Sequence, residues 1–212
     1  MRPDPIGDAV KHAAAGGMLG YPTETVWALG VDATSEAAID RLRVWKGRGD
    51  DVPLSILIAD MADLEVFGFV IEEAALKLAG EFWPGPLTLV IPCRRTFARG
   101  VGRSDGAVGV RCSAHPLAAA LARRCEAEGM GPLTATSLNR TGSPAARNRG
   151  EAEAIAGEET DAPRIVDVDG SEAGGDLEST VIDVSSARPE VLRWGSIRAA
   201  DIDPVLQEID RG

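Results

Sequence analysis

Residues 20–30 place hydroxyl and carboxylate groups side by side at the end of a predicted strand. Thr23, Glu24 and Thr25 follow a short apolar run and a Tyr-Pro break. Pro22 fixes its own φ and favours an extended conformation in the residue before it, so the chain is expected to leave a strand and turn here. Strand ends are where α/β proteins collect ligands, so this turn is a candidate wall of a binding site. A polar turn that only links two strands is the alternative.

Lys46 and Arg48 flank a glycine at the end of a predicted amphipathic helix. Cations at a helix C-terminus interact favourably with the helix dipole, so simple end-capping explains either residue alone. Together they precede the loop 49–53. An ammonium beside a guanidinium suits an oligophosphate, with lysine as a point charge and arginine as a bidentate fork. The pair therefore predicts a site for a phosphate-bearing ligand.

Arg111 ends a strand that otherwise reads as buried. A buried guanidinium is costly unless an anion pairs with it. Either one of the chain's 33 acidic residues provides an internal salt bridge, or Arg111 clamps the carboxylate of a small ligand. His115 precedes Pro116 and is expected to cap the following helix rather than to act as a general base.

Further polar groups stand at other predicted strand ends. Ser137 and Asn139 follow the strand 133–136, while Ser179 begins a strand and Arg193 ends one. No histidine or lysine is adjacent to Ser137 in the sequence and no GxSxG pattern surrounds it, so this serine is predicted to bind a ligand rather than to act as a nucleophile. The alternatives are that these side chains satisfy turn backbone, cap a strand or carry surface charge.

Short apolar runs alternate with helical patterns along the whole chain, which favours an α/β or α+β sheet protein. Strands are predicted over 17–21, 29–33, 54–58, 87–91, 107–111, 133–136, 164–167, 180–184 and 191–193. Helices are predicted over 35–46, over 72–80, from Pro116 onward, and over 199–209 as a C-terminal capping helix. The polar stretch 147–162 is expected to form a surface helix and a loop rather than a linker, so the 212 residues are predicted to form one domain.

The composition argues against several classes of function. A net charge of −11 disfavours a surface that holds nucleic acid by neutralising phosphates, although a local basic pocket is compatible with it. Three cysteines without CxxC spacing predict free thiols in a reducing compartment, and two histidines without a Cys/His cluster predict no protein-only metal site. No stretch resembles a signal sequence or approaches the roughly 20 apolar residues of a membrane span, so a soluble cytoplasmic protein is expected. Without a P-loop or a GxGxxG fingerprint, a nucleotide would be bound without the usual glycine-rich loop.

A series of segments in fixed order resembles one known family. The segments are YPTETVWALG, KGR before PLSILI, WPGPLTLVIP, VGVRCSAHP, TSLNRTGSP, ESTVIDV and VLRWG. From about Gly16 to Ile197 the chain resembles the YrdC family of threonylcarbamoyl-AMP synthases in its short bacterial form. The resemblance implies an α/β fold with a single YrdC-like domain, in which a twisted mixed sheet flanked by helices surrounds a positively lined cavity. The core would cover about 10–198 and the capping helix 199–210.

The same resemblance implies a reaction of L-threonine, bicarbonate and ATP that gives threonylcarbamoyl-AMP and pyrophosphate, the first step towards the tRNA base t6A. ATP enters as a substrate of this nucleotidyltransferase, and Mg²⁺ would be held mainly by its phosphates, so no metal ligands are expected from the protein. The product would pass to downstream t6A-transfer proteins in the cytoplasm, with a weak contact to tRNA and none to a membrane.

The resemblance also implies roles for individual residues. Lys46 and Arg48 would be the catalytic residues. Threonine would be bound by Thr25, Arg111, Ser137 and Ser179. The nucleotide would be bound by Lys46, Arg48, Asn139, Arg147 and Arg193. Family members usually have tyrosine and glycine where this chain has Trp27 and Ala28, and alanine where it has Leu138, so the bulkier Trp27 and Leu138 are expected to reshape the cavity.

Two other functions fit the sequence. A YrdC-family paralogue would carbamoylate or adenylate another substrate, as the YrdC-like modules of hydrogenase maturation proteins use carbamoyl phosphate within much larger chains. A non-enzymatic RNA-binding module is the second, because this fold has been linked to double-stranded RNA, although the acidic net charge argues against it. The enzyme is favoured by the joint presence of Thr25, Lys46, Arg48, Arg111, Ser179 and Arg193.

Overall fold

The computed structural model describes residues 3–49, 52–166, 168 and 173–209. Its strands are β1 (Leu19–Tyr21), β2 (Ala28–Gly30), β3 (Ile56–Ile58), β4 (Leu87–Pro92), β5 (Ala107–Cys112), β6 (Thr136–Ser137), β7 (Arg164–Ile165), β8 (Thr180–Asp183) and β9 (Glu190–Arg193). Its helices are α1 (Pro5–Ala14), α2 (Glu36–Lys46), α3 (Asp63–Val66), α4 (Glu73–Phe82), α5 (Pro116–Ala127), α6 (Arg149–Ala156) and α7 (Ala199–Ile209). Asp167, at the end of one predicted strand, and Asp210, at the end of the expected capping helix, lie outside the described residues.

The strands form two mixed sheets rather than the single sheet expected. One sheet has the order β6-β2-β1-β7 and the other the order β3-β5-β4-β8-β9. Each contains parallel and antiparallel pairs, such as β1 with β7 and β1 with β2 in the first, or β4 with β8 and β4 with β5 in the second. The mixed α/β class is therefore confirmed, and the number of sheets is corrected. Apolar runs identify strands, but they do not identify the partner of each strand.

The segment from Leu133 to Ser137 crosses from one sheet to the other. Thr134 bridges Ile56 in the five-stranded sheet, whereas β6 pairs with β2 in the four-stranded sheet. The crossing is fixed by Tyr21, whose buried hydroxyl donates to the Thr134 carbonyl at 2.9 Å. In place of the single strand predicted over 133–136, this segment makes two short pairings, one with each sheet. The segment places Ser137 between the sheets.

Helix α2 has well-defined ends, which decide where its last cation lies. Ser35 caps the N-terminus, because its hydroxyl accepts from the Ala38 amide at 3.3 Å. Gly47 ends the helix with a φ of 65°, a left-handed conformation that glycine adopts without steric cost. Lys46 is therefore the last helical residue, and Arg48 emerges into the following loop. The helix predicted over 35–46 is confirmed.

Helix α5 begins as the sequence predicts. Pro116 is its first residue, and the His115 side chain accepts from the Leu117 amide through Nδ1 at 3.2 Å. The predicted N-cap role of His115 is confirmed. None of the helices in the described ranges is long and apolar enough to cross a membrane.

Two apolar clusters form the core, and β3 contributes to both. Ile56 and Ile58 belong to the larger cluster, with Leu42 of α2. Leu57 points the other way into the smaller cluster, with Leu121 of α5. This alternation follows from the two-residue period of a strand. The face of the five-stranded sheet that carries Leu57 packs against α5 at one end. Further along the sheet, the same face lines a cavity.

Candidate active site

One row of residues across the five-stranded sheet carries two of the predicted arginines. Arg111 of β5 is paired in register with Thr88 of β4, Thr88 with Val181 of β8, and Val181 with Arg193 of β9. Residues paired across neighbouring strands present their side chains to the same face of a sheet. All four line the same cavity. Strands that are far apart in sequence therefore bring Arg111 and Arg193 to one wall.

The cavity has a volume of about 410 Å³, within the range of small-molecule sites. Its opposite wall comes from the four-stranded sheet, through Trp27, Ala28 and β6. The end of α2 and the residues 52–55 close a third side. The cations that line it are Lys46, Arg48, Arg103, Arg111 and Arg193, and among the described lining residues Glu178 is the single carboxylate. A protein with a net charge of −11 thus surrounds this cavity with positive charge.

Lys46 joins the end of α2 to the segment that follows β6. Its ammonium donates to the backbone oxygen of Asn139 at 3.1 Å, to the side-chain oxygen of Asn139 and to the backbone oxygen of Ser137. These bonds use all three donors of a lysine ammonium. Burial, and secondarily the charge of Arg48, lowers the pKa of Lys46 to about 8. Lys46 therefore acts on the cavity chiefly through its charge and through the placement of Ser137 and Asn139.

Arg48 spans the cavity edge from the loop after α2 to β6. Its guanidinium donates to the carbonyls of Val52 at 3.1 Å and Pro53 at 2.9 Å, and to the Thr136 hydroxyl at 3.2 Å. Burial and the neighbouring charge of Arg43 lower the pKa of Arg48. Within the described residues the hydrogen-bond acceptors of Arg48 are neutral, so they leave its charge available to an anionic ligand.

Arg111 is 7% exposed, and the side chains of the turn 23–25 hold its guanidinium on the side away from the cavity. Its Nη2 donates to Thr25 Oγ1 at 2.6 Å, to Glu24 Oε1 at 2.9 Å and to Thr23 Oγ1 at 3.3 Å. Burial raises the pKa of Glu24, but the charge of Arg111 and its hydrogen bonds outweigh that effect and the pKa is lowered. The internal salt bridge and the cavity position, which the sequence left as alternatives, therefore both occur.

The predicted hydroxyl and amide groups also converge, with one exception. Ser179 Oγ lies 2.9 Å from Thr88 Oγ1, and Arg193 donates to the Ser179 carbonyl at 2.9 Å. Ser137, Asn139 and Ser179 line the cavity. Thr25 is 0% exposed and lies behind Arg111, outside the lining of the cavity as described. Its direct contact with a ligand stays a prediction.

Arg147 lies outside the cavity that the described residues form. Its side chain is 53% exposed and is 3.8 Å from Glu151 and 3.7 Å from Asp176. Trp27 and Leu138 are both 0% exposed and both pack into the larger apolar cluster, and Trp27 also borders the cavity. The bulk of both side chains therefore lies in the core, and the expected effect of each on the cavity stays a prediction.

Arg103 is a cavity cation that the sequence did not suggest. It lies in a turn before β5, where its guanidinium pairs with Asp105 and Asp183. Nothing in the local pattern distinguishes it from a surface arginine, because its position depends on the packing of that turn against β8. The described residues contain no group of three histidine, cysteine or acidic side chains that could hold a metal ion.

This chain is similar in sequence to one known protein family and to several named proteins. The family model Sua5/yciO/yrdC, described as Telomere recombination, matches residues 11–195. A threonylcarbamoyl-AMP synthase of Pyrococcus abyssi is 38% identical over 202 residues, covering 92% of this chain and 55% of that protein. One of Chromohalobacter salexigens is 36% identical over 193 residues, covering 90% of this chain and 97% of that protein. The chain spans about half the length of the first relative and nearly all of the second.

Solved structures have the same fold. The crystal structure of P. abyssi Sua5 complexed with L-threonine superposes with a TM-score of 0.84 at 36% identity, covering 97% of this chain and 58% of that one. The crystal structure of E. coli YciO gives a TM-score of 0.75 at 26% identity, with 94% of each chain covered. This chain therefore shares its overall fold with both proteins.

Proposed function

The chain belongs to the Sua5/YciO/YrdC family, and from that premise we propose that it synthesises threonylcarbamoyl-AMP and pyrophosphate from L-threonine, bicarbonate and ATP. The observation that carries the proposal is the row across the five-stranded sheet, which sets Arg111 and Arg193 on one cavity wall with hydroxyl groups between them. One arginine suits a carboxylate and the other a phosphate, and the product requires both kinds of ligand in one cavity.

Arg111 is the group that would bind the threonine carboxylate. It is buried, lines the cavity and keeps a guanidinium edge for a ligand after its bonds to the turn at Glu24 are counted. Ser179 and Thr88 adjoin it and offer hydroxyls to the amino acid. Ser137 lies across the cavity from them, and Thr25 supports the site by orienting Arg111.

Lys46, Arg48 and Arg193 would bind the phosphates of ATP. Their combined charge faces the cavity and is balanced there, within the described lining, only by Glu178. Asn139 is oriented by Lys46, and we propose that it contacts the nucleotide. Mg²⁺ fits as part of the ATP substrate, since the cavity lining supplies cations and hydroxyls rather than a set of carboxylate ligands.

The chemistry needs alignment and charge neutralisation more than a nucleophilic side chain. The threonine amine combines with bicarbonate to give a carbamate and water. A carbamate oxygen then forms a bond to the α-phosphorus of ATP, and the bond from that phosphorus to the bridging oxygen of pyrophosphate breaks. Lys46 and Arg48 neutralise the charge that accumulates on the departing pyrophosphate, which is the catalytic role proposed for them.

The product is a reactive mixed anhydride, so a transfer step must follow its synthesis. We propose that a t6A-transfer protein receives it in the cytoplasm, and that contact with tRNA by this chain is weak because its net charge is −11. A paralogue with another acceptor is the second candidate, because Trp27 and Ala28, which border the cavity, stand where the family resemblance leads us to expect tyrosine and glycine.

Pyrophosphate release tests the proposal. The protein is incubated with ATP, Mg²⁺ and bicarbonate, with or without L-threonine, and with L-serine or carbamoyl phosphate as alternative substrates. Release that requires both threonine and bicarbonate is expected. Release only with another amino acid or with carbamoyl phosphate would support the paralogue, and bound ATP without release would contradict synthase activity.

A further inference from the structure

Glu24 joins two buried donors on neighbouring parts of the chain. Its Oε1 accepts from Arg111 Nη2 at 2.9 Å, and its Oε2 accepts from the Ser113 hydroxyl. Arg111 is 7% exposed and Ser113 is 2% exposed. Both partners of this carboxylate therefore follow one another along β5 and the segment that leaves it, one on each side of Cys112.

The hydrogen bonds of Arg111 are divided unequally over its guanidinium. Nη2 makes the three bonds to the turn 23–25, and Nε is buried without a partner. Nη1 makes no hydrogen bond within the described part of the chain, although Arg111 lines the cavity. A guanidinium is planar and rigid, so fixing Nη2 also fixes the direction of Nη1. The hydrogen bond between Arg111 Nη2 and Glu24 thus sets the direction in which Nη1 points.

The turn that carries Glu24 is itself held in place. Thr23 Oγ1 donates to the Val26 carbonyl at 2.7 Å. The amides of Gly174 and Gly175 donate to the carbonyls of Thr23 and Thr25 at 3.0 and 2.8 Å. A Cβ added at Gly174 would lie 3.0 Å from the Glu24 carbonyl, so glycine permits this close approach. The backbone on both sides of Glu24 is therefore held by hydrogen bonds.

Ser113 is fixed from its other side as well. Its Oγ accepts from the His115 amide at 3.2 Å, next to the start of α5. The hydroxyl proton is thereby left to Glu24. A buried hydrogen-bonded network in which each member has a partner is rigid, and the loss of one member leaves a charge without compensation.

We propose that Glu24 is a positioning residue for the amino-acid end of the cavity, which orients Arg111 so that Nη1 receives the substrate carboxylate. The inference rests on the proposed function. Glu24 lies outside the described lining of the cavity, so it acts through Arg111 and does not contact the substrate. Without the Glu24 charge, Arg111 keeps its neutral partners Thr23 and Thr25 but loses the anion that balances it.

The test compares Glu24→Gln and Ser113→Ala with Glu65→Gln, an exposed control on α3. Pyrophosphate release is measured over a range of L-threonine and, separately, of ATP. Because a hydrogen bond to a charged group is stronger than one between neutral groups, Glu24→Gln is expected to raise the threonine KM about tenfold or more and leave the ATP KM within about twofold. Ser113→Ala is expected to give a smaller shift of the same kind, and Glu65→Gln none.

A second readout separates positioning from loss of structure. Threoninol lacks the carboxylate of threonine. The ratio of kcat/KM for threonine to kcat/KM for threoninol therefore measures how strongly Arg111 binds that carboxylate. Glu24→Gln is expected to reduce the ratio about tenfold, in line with the loss of one charge-assisted bond. If Glu24→Gln leaves this ratio unchanged, or raises the KM values for threonine and ATP equally, the positioning role is overturned. The proposed function still stands in that case, provided that the wild-type protein is active. Wild-type release that ignores threonine overturns both.

Discussion

The Lys46 ammonium donates to both the backbone and the side-chain oxygen of Asn139, which ties the end of α2 to the segment after β6. The third ammonium proton goes to the Ser137 carbonyl. Two segments that the sequence places far apart therefore form one continuous wall of the cavity. Their contact holds the Lys46 ammonium at the cavity, where its positive charge can act on an anionic ligand.

Replacement of Lys46 by methionine should destabilise the protein and abolish activity. Lys46 is 4% exposed, and the change leaves its oxygen acceptors without a donor. Each unsatisfied buried group costs about 1–3 kcal/mol, so a loss of about 2–4 kcal/mol in the free energy of unfolding is expected. Urea unfolding measures it. Lys77→Met, at an i,i+4 surface pair with Glu73, should change stability by less than about 0.5 kcal/mol. Equal effects at the two positions would contradict the role of Lys46.

Binding of a non-hydrolysable ATP analogue should weaken as the pH rises above about 8, where Lys46 begins to lose its proton. The phosphates favour the charged ammonium, so binding must take up a proton at higher pH, and affinity falls by up to about tenfold per pH unit. Calorimetric titration at several pH values measures the slope. Lys46→Arg keeps its charge throughout and should show no such slope. A wild-type affinity independent of pH between about 8 and 9.5 would contradict the prediction.

The free energy of unfolding should change with pH in the opposite direction. The pKa of Lys46 is about 8 in the folded protein, against an ordinary value of 10.5. Between these values the unfolded chain binds more protons than the folded chain, so this group makes stability rise with pH across that window. Urea unfolding of wild type and Lys46→Arg at both ends of the window isolates the contribution. A wild-type protein that gains no stability relative to the variant would contradict it.

Arg43 should control nucleotide binding although it does not line the main cavity. It is 6% exposed and donates to the carbonyls of Gly49, Val52 and Gly100. The Val52 carbonyl also accepts from Arg48, so both arginines fix the same loop. Arg43→Gln is expected to raise the ATP KM about tenfold, with a smaller effect on the threonine KM, because charged hydrogen bonds to the loop are lost.

Steady-state kinetics with each substrate varied in turn checks the Arg43 prediction. Arg123→Gln, on the exposed side of α5, is the matched control and should leave both KM values unchanged. A larger effect on threonine than on ATP would show that the loop held by Arg43 does not serve the nucleotide.

Arg111→Ala should remove the dependence on threonine and leave nucleotide binding largely intact. Arg111 pairs with Glu24 at one end of the row, whereas Lys46 and Arg48 lie on the side of the cavity that the end of α2 closes. The variant also leaves Glu24 without its cation, so a loss of about 3–5 kcal/mol in stability is expected. ATP-analogue binding and threonine-dependent pyrophosphate release are measured below the melting transition. Arg198→Ala, 80% exposed, is the control. An equal loss of both ligands would contradict the assignment.

Local signals in the sequence predicted much of the site. The ends of α2 and the cap at His115 follow from residue chemistry within one turn, and the structure confirms both. Three polar groups predicted at strand ends, Ser137, Ser179 and Arg193, line one cavity, and their contact with a ligand stays a prediction. For Arg111 the sequence left a salt bridge and a ligand clamp as alternatives. The structure shows the salt bridge to Glu24 and places Arg111 at the cavity, and the contact with a ligand stays a prediction.

The features of the site that the sequence did not predict depend on long-range packing. The contact of Lys46 with Asn139 and the place of Arg103 beside Asp183 depend on which strands pair, and no short pattern encodes strand partners. The division into two sheets has the same cause. Arg147, expected at the nucleotide, points instead to Glu151 and Asp176 in this structure, so its role stays a prediction.

Transfer of the bicarbonate carbon tests the central claim most directly. The protein is incubated with ATP, Mg²⁺, L-threonine and isotope-labelled bicarbonate, and the products are identified by mass spectrometry alongside pyrophosphate. The proposed reaction predicts one adduct that contains threonine, the labelled carbon and AMP, formed in equal amount to pyrophosphate and lost in Arg111→Ala. Pyrophosphate without a labelled adduct, or an adduct that forms equally well without threonine, would contradict it.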